Sequence, residues 1–450
     1  MVMDKWDKSN IFYHERIMLM INMIDSQNNL GERMDSAKES PLFFKVFSLV
    51  GVGLLLDSSD VYMASNVNSS IVATHFASLT QGSMFLSAGF FGLFIGSIIT
   101  GFIGDYFGRR SAFQWNLLIF GFATLIAAFS PNIYFLIFMR FVAAIGLGAE
   151  VVTGFAMVSE FAPVKNRGKW SGFASVIANL GAPFGFFLST ILISRFGWRS
   201  MFIVLGLFAL IVWFMRRNLP ESPRWLISHH DDKEANVIIN QLEKNGHYDK
   251  NQMKRNDNGH ISRFKGTIIA TVGVSATLLC QYMFTSWVPT LLLRRGLNIV
   301  HSMWFSTIMM TGAPLGALMG VILVDVIGRK KTIVPSFVLI AIAGIMYAFE
   351  TTSTGILING FVLTMLMYLS MASNISVYAP ELFTTDFRFR GNGYANGVAK
   401  LLTTLSPYFV LWIIKAHGVT SLFIAISAIA IFASLFIAIF GPETKKTSIQ

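Results

Sequence analysis

Residues 101–110 read Gly-Phe-Ile-Gly-Asp-Tyr-Phe-Gly-Arg-Arg, and residues 320–330 read Gly-Val-Ile-Leu-Val-Asp-Val-Ile-Gly-Arg-Lys. Asp105, Gly108, Arg109 and Arg110 answer Asp325, Gly328, Arg329 and Lys330, each pair 220 residues apart. Each stretch closes an apolar run of about twenty residues, the length that crosses a hydrocarbon core as a helix. A weaker echo follows further on, where Glu160, Arg167 and Gly168 answer Glu381, Arg388 and Gly391. The chain therefore reads as a duplicated helical unit, with the same charged loop at the same place in each copy.

The composition agrees. Of 450 residues 54% are hydrophobic and only 13% charged, where a soluble chain carries about a quarter charged. Forty-two Phe, 22 Met and 37 Gly give more apolar surface than one aqueous core can bury. Windows of about twenty residues give twelve candidate spans, the first at roughly 43–64 and the last two at roughly 394–414 and 419–440. Continuous apolar runs without alternation select helices over a barrel, since either must satisfy every backbone amide in lipid. The expected fold is an all-α membrane protein of twelve transmembrane helices in two pseudo-symmetric six-helix bundles. Its expected parts are a cytoplasmic N-terminal segment 1–42, a bundle 43–215, a cytoplasmic linker 216–265, a second bundle 266–440 and a cytoplasmic tail 441–450.

Of the 35 Lys and Arg residues, 28 fall in the termini and alternate loops, five in the opposite loops (Arg195, Arg199, Arg294, Arg295, Lys415) and two inside spans. By the positive-inside rule both termini and the 216–265 connection are cytoplasmic in a multi-pass protein of the cell membrane. The net charge of +11 is spread over short loops, so it reads as topology and not as a nucleic-acid surface. A single Cys, Cys280, excludes an internal disulfide and a cysteine-built zinc site. The eight His lie in termini, loops or span edges, which leaves no intramembrane metal cluster. Neither a metal nor another cofactor is expected, and a polytopic enzyme is disfavoured.

Asp57, Asp60 and Glu150 fall well inside spans, opposite the basic Arg140 and Lys400. A charge at the helix centre costs about 2.5–3.5 kcal/mol on insertion scales, so these groups are expected to face a cavity. An internal repeat around such a cavity is how secondary transporters hold substrate between their halves. Asp60 is the expected proton carrier: a buried carboxylate gains or loses its proton as a cation recedes or approaches, so movement of Arg140 would switch it. The alternative is a static ion pair tying two helices. Asp57, three residues away on the same face, either shares the proton or assists. Glu150 is read as a substrate contact or second protonatable group, against a packing role. Lys400 would attract an anion, or else snorkel to the interface. Gln281, Trp287, Asn179 and Tyr378 are candidate substrate contacts through amides and rings, each against plain core packing.

The motifs in combination make the chain resemble the major facilitator superfamily over nearly its whole length. The residues concerned are 104–110 and 325–330, Arg140 with Gly146 and Gly148, Glu160 to Gly168, Pro220-Glu221-Ser222-Pro223-Arg224-Trp225-Leu226, and Pro442-Glu443-Thr444. They look like the sugar porter and metabolite:proton symporter branch. Sugar porters carry Gln-Gln-x-x-Gly-x-Asn in helix 7, where this chain has Gln281-Tyr282-Met283-Phe284-Thr285-Ser286-Trp287, and most of the hexose-binding amides are missing. Tyr378-Ala379-Pro380-Glu381 and Asp57-Ser58-Ser59-Asp60 are similar to aromatic-acid and related carboxylate symporters, and Gly146-Leu147-Gly148-Ala149-Glu150 is similar to phosphate:proton symporters.

The resemblance implies alternating access, a monomer, and Asp60 with Arg140 as the coupling couple. It also implies that Asp105, Arg109, Arg110, Glu160, Arg167, Asp325, Arg329, Glu381, Arg388 and Arg390 latch the outward-open state. Plain topogenic charge is the alternative for these. The expected function is a secondary active transporter in the bilayer moving a small polar metabolite, an organic acid first, with protons. Sugar:proton or phosphate:proton symport and uniport of the same fold stay open.

Overall fold

The computed structural model describes residues 30–248, 262–383 and 387–444, and the side chains of 101, 102, 105, 164, 388 and 389 are not among those described. The described chain is nearly all helix, with one isolated β-bridge between Ala37 and His247. Eleven segments are long and apolar enough to cross a membrane. We number the crossings α1 (Pro41–Ala73), α2 (Leu79–Phe107), α3 (Arg109–Ala128), α4 (Ile133–Phe161), α5 (Arg167–Phe196), α6 (Arg199–Met215), α7 (Arg263–Thr285), α8 (Ile299–Val326), α9 (Arg329–Phe349) and α10 (Ser353–Glu381). The last segment, Arg388–Phe440, has 53 residues. At 1.5 Å per residue that is about 80 Å, far more than one ~30 Å core. It breaks at Gly418, whose φ of 83° is non-helical, into α11 (388–417) and α12 (419–440). Two bundles of six result, as the sequence leads one to expect.

Local chemistry sets the ends. Ser40 caps α1 with Pro41 in the first turn, Ser78 and Gln81 form a capping box on α2, and Asn132, Asn298 and Thr352 cap α4, α8 and the start of α10. Inside the bundles, small residues let backbones touch. A Cβ on Gly92 or Gly96 would strike the α4 backbone, and a Cβ on Gly312 or Gly316 the α10 backbone. These glycines are again 220 residues apart, so the repeat extends from the charged loops into the packing. α1 packs on α5 and α2 on α4, with α7 on α11 and α8 on α10 as their counterparts, while α2 against α11 and α5 against α8 join the two bundles.

Residues 30–40, the 216–248 connection and residue 444 share one face of the molecule, called here the terminal face; the other is the far face. Arg33 reaches Glu243 at 2.6 Å as well as Asn236 and Asn240. Asp35 pairs with Arg224 and, at 3.5 Å, with Arg167. Glu39 accepts from Trp170 Nε1 at 2.9 Å, Asn166 at 2.7 Å and Tyr248 at 2.8 Å. Burial pushes this carboxyl up, but the hydrogen bonds win and hold it at about 2. The segment and the connection thus dock on the first bundle.

Candidate functional site

A cavity of about 270 Å3 lies between the bundles. Its walls come from both halves: Asp57, Ser58 and Tyr62 of α1, Phe90 of α2, Phe155 of α4, and Ser175 and Asn179 of α5 face Tyr282 of α7, Ser376 of α10, and Asn396 and Lys400 of α11. Toward the terminal face the lining grows accessible, since Ser376 is exposed and Phe155, Ser175 and Asn396 are half-buried. Toward the far face it closes. Tyr62 packs near Phe186, Tyr282 and Tyr368, and the Phe90 ring lies tilted 4.7 Å from that of Tyr282. Gln281 Nε2 donates to Tyr62 Oη at 2.6 Å, Ser65 Oγ to the Thr285 carbonyl at 2.9 Å, and the Thr190 and Thr307 hydroxyls meet at 2.9 Å. Each of these three hydrogen bonds crosses from one bundle to the other. The cavity is open to one side only.

Of the coupling candidates, Arg140 Nη1 binds Asp60 Oδ2 and Nη2 donates to the Asp60 carbonyl at 3.3 Å, with both side chains buried and neither lining the cavity. Asp57 does line it, one helical turn closer to the terminal face, and its Oδ1 has no hydrogen-bond partner in the protein. Lys400 lines the opposing wall. Asn179 also lines the cavity, its amide held to the Ser175 carbonyl at 2.8 Å.

Four expected substrate contacts stand elsewhere. Gln281 is fully buried in the far-side closure. Trp287 is buried at the break between α7 and the short helix Val288–Arg294 that Pro289 starts. Tyr378 ends a π-helical turn, Asn374–Tyr378, ahead of Pro380, and its hydroxyl donates to the Pro442 carbonyl at 3.0 Å, away from the cavity. Glu150 does not face the cavity either. It meets Arg216 Nη1 at 2.7 Å, with both side chains sealed. This cation, one residue past the end of α6, also donates to the Leu49 carbonyl at 2.7 Å and lies 3.7 Å from the Phe113 ring centre. Gly53 makes room for the pair, since a Cβ there would overlap both Arg216 and Glu150.

Arg216 was missed because it follows the apolar run and reads as the first loop cation. The signal that finds it is periodicity: Leu205, Ala209 and Val212 are the buried stripe of α6, and the next position on that stripe is Arg216. The aromatic partners Tyr62, Phe90 and Tyr368 were also missed, because nothing in sequence distinguishes a ring that closes a cavity from a core ring.

At the terminal face Arg109 meets Glu160 at 3.4 Å, and Arg329 grips Glu381 through two bonds of 2.9 Å with Asp325 at 3.1 Å. Each pair lies inside one bundle. Arg110 and Arg329 donate backbone N–H groups to Glu221 (3.0 Å) and Glu443 (2.8 Å), the acids of the two Pro-Glu motifs. Gly108 and Gly328, at φ of 90° and 119°, bend the chain so that these carboxylates cap α3 and α9 in place of an ordinary side-chain cap. Burial pushes Glu221 upward against those backbone donors. Arg167 pairs with Asp35 and Arg390 is exposed. The side chains of Asp105 and Arg388 lie outside the described residues.

Two helical bundles related by an internal repeat, with a cavity at their seam sealed on one face and open on the other, define a multi-pass membrane transporter. The sequence profile of the family described as sugar (and other) transporter matches residues 48–450. The chain belongs to that family, within the major facilitator superfamily, and is a transporter and not an enzyme. Among its relatives are the inner membrane metabolite transport protein YdjE of Escherichia coli (strain K12), 31% identical over 446 residues that span 95% of this chain and 99% of that one. The niacin transporter NiaP of Acinetobacter baylyi is 25% identical over 437 residues, 94% of this chain and 99% of that one. The structure of the xylose transporter XylE from Escherichia coli, in a partially occluded inward open conformation, matches with a TM-score of 0.71 at 19% identity, covering 91% of this chain and 100% of that one.

Proposed function

We propose that the chain carries a small aromatic or heteroaromatic monocarboxylate across the cell membrane together with protons, by alternating access. The observation that carries this reading is Lys400 in the wall of a roughly ring-sized cavity whose other walls include Phe90, Tyr62, Tyr282 and Phe155. An ammonium group in a largely apolar pocket attracts one anionic group, and rings on the remaining walls suit a flat apolar body. The niacin transporter among the relatives moves a ligand of this kind by its name. The proton rides on a single carboxylate of α1. The basic loops put the terminal face in the cytoplasm, so the described conformation faces inward. The charged pairs at that face latch the opposite state through contacts that form when the bundles rock together, and the chain works as a monomer.

The test is internal acidification of proteoliposomes on adding carboxylates, hexoses, pentoses or phosphate one at a time. Acidification with carboxylates alone supports the reading. Acidification with a pentose or hexose instead would make this a sugar symporter.

A further inference from the structure

Among the described residues, Asp57, Asp60, Glu150, Arg140 and Lys400 stand within the crossings, and Arg216, the residue after α6, reaches in to join them as a sixth buried or cavity-lining charge. Fully ionised, they sum to zero. Four of them are already paired off. Asp60 is held by Arg140 through its carboxylate and its own backbone carbonyl. Glu150 is held by Arg216, which is itself fixed by the Leu49 carbonyl and the Phe113 ring. Both pairs lie wholly within the first bundle, tying α1 to α4 at two heights. The tie points, residues 49 and 60 on α1, are about 16 Å apart at 1.5 Å per residue. A pair of this kind moves with its bundle as the bundle rocks.

Asp57 and Lys400 are the remaining two, and they differ in placement. Both line the cavity, which none of the four paired charges does, and they belong to different bundles; Asp57 Oδ1, like Asp60 Oδ1 and Glu150 Oε2, has no hydrogen-bond partner in the protein, but of the three carboxylates Asp57 is the one that faces the cavity. The charges that act on Asp57 are Asp60 on its own helix, Glu150 and Arg140 on α4, and Lys400 on α11. Tyr62 and Tyr282 are the neutral titratable groups on the same walls, while α2, α5 and α10 present Phe90, Ser175, Asn179 and Ser376. With the four paired charges cancelling locally, Lys400 is the cation left to offset Asp57.

We propose that Asp57, and not Asp60, carries the transported proton, and that one monoanion bound at Lys400 crosses with one proton in an electroneutral cycle. The proposal rests on the carboxylate reading above. An anion seated on Lys400 takes up the positive charge that offset Asp57 and leaves the cavity with one excess negative charge. A proton from the water that the cavity faces then adds to an Asp57 carboxylate oxygen, and the sum returns to zero. One O–H bond forms on loading and breaks on release, and nothing is oxidised or reduced. The empty carrier is neutral too, because Asp57 and Lys400 then offset each other. Both the loaded and the empty protein can therefore rock without moving net charge through the membrane potential. Asp60–Arg140 is a strut that positions Asp57.

The experiment uses the purified full chain in proteoliposomes with radiolabelled nicotinate. Wild type should accumulate it about tenfold per pH unit of inward proton gradient, as one-to-one coupling requires, and an imposed potential should leave that ratio unchanged. Asp57→Asn should keep nicotinate exchange, lose pH-driven accumulation, and distribute nicotinate with the potential, about tenfold per ~60 mV, as a carrier of the bare anion. Asp60→Asn combined with Arg140→Gln, which removes both charges together, should keep pH-driven accumulation. Exchange-competent Asp57→Asn that still accumulates on a pH gradient would overturn the assignment, as would a wild type whose accumulation follows the potential. Should Asp57→Asn also lose exchange, the double variant decides alone: pH-driven accumulation supports the assignment, and its loss with exchange intact overturns it. A wild type that neither exchanges nor accumulates any carboxylate overturns the substrate reading and this inference with it, a silence distinguishable from any difference between variants.

Discussion

Arg216, in the residue after α6 ends, reaches into the first bundle to meet the Glu150 carboxylate at 2.7 Å, and both side chains are shut off from solvent. Removing one partner of a buried pair strands the other charge, at a cost of about 3–5 kcal/mol, whereas replacing both by apolar groups of like volume is often neutral. Arg216→Met and Glu150→Leu should each lower the stability of the detergent-solubilised protein by that order. The double variant Arg216→Met/Glu150→Leu should recover most of it. Denaturant unfolding of the four proteins checks the cycle, and additive losses would mean the two side chains act independently.

Gly53 should behave as a third member of that site. An added methyl must displace Arg216 and Glu150, so Gly53→Ala should destabilise by about 1–3 kcal/mol, although alanine normally improves a helix. In the background of the double variant the same substitution should cost far less, since the atoms in its way are gone. A Gly53→Ala that is neutral in both backgrounds would show that the contact is not tight.

The docking of the N-terminal segment should depend on pH. Glu39 sits at about 2 in the folded protein against about 4.3 for a free side chain. A depressed carboxyl stabilises the folded form above the unfolded value and loses that contribution as pH falls from 4.3 toward 2. Glu39 is partly exposed, so screening reduces the effect to about 1 kcal/mol. Protease cleavage within residues 30–40 should therefore rise below pH 4.5, and Glu39→Gln should show the raised cleavage already at pH 7. A variant that is cut no faster than wild type at neutral pH would remove Glu39 from the dock.

The one-sided cavity makes a labelling prediction. Native Cys280 is buried, so background is low. Cysteines at Ser376 and Asn396 should react with an impermeant maleimide applied at the terminal face, whereas one at fully buried Asn68 should stay unlabelled from the far face until the protein turns over. Prompt labelling at Asn68 in the resting protein would show that the far side is not closed.

Much of the fold was legible because it is written twice. The offset of 220 residues set the number of bundles, and the apolar runs and basic loops set the helices. The break at Gly418 was legible as well, since a glycine stands between two spans. The site was legible in part, and for a physical reason. Intramembrane charge is costly, so Asp57, Asp60, Arg140 and Lys400 stand out as single letters. Which of them pair and which face the cavity depends on tertiary geometry that periodicity gives only to within a helix face. Between the two readings of Glu150, its pairing with Arg216 matches the packing one, and that partner lies one residue past an apolar run. Gln281 and Tyr378 were named for their chemistry, and in the structure that chemistry goes to a hydrogen bond with Tyr62 on the closed side and to one with the Pro442 carbonyl.

The most direct test of the central claim is internal pH in proteoliposomes on addition of nicotinate or benzoate, comparing wild type with Lys400→Ala. The account predicts acidification with wild type that falls at least tenfold in the variant, because the cation that seats the carboxylate is gone. Acidification that survives unchanged in Lys400→Ala, or that appears with xylose and not with any carboxylate, would contradict it.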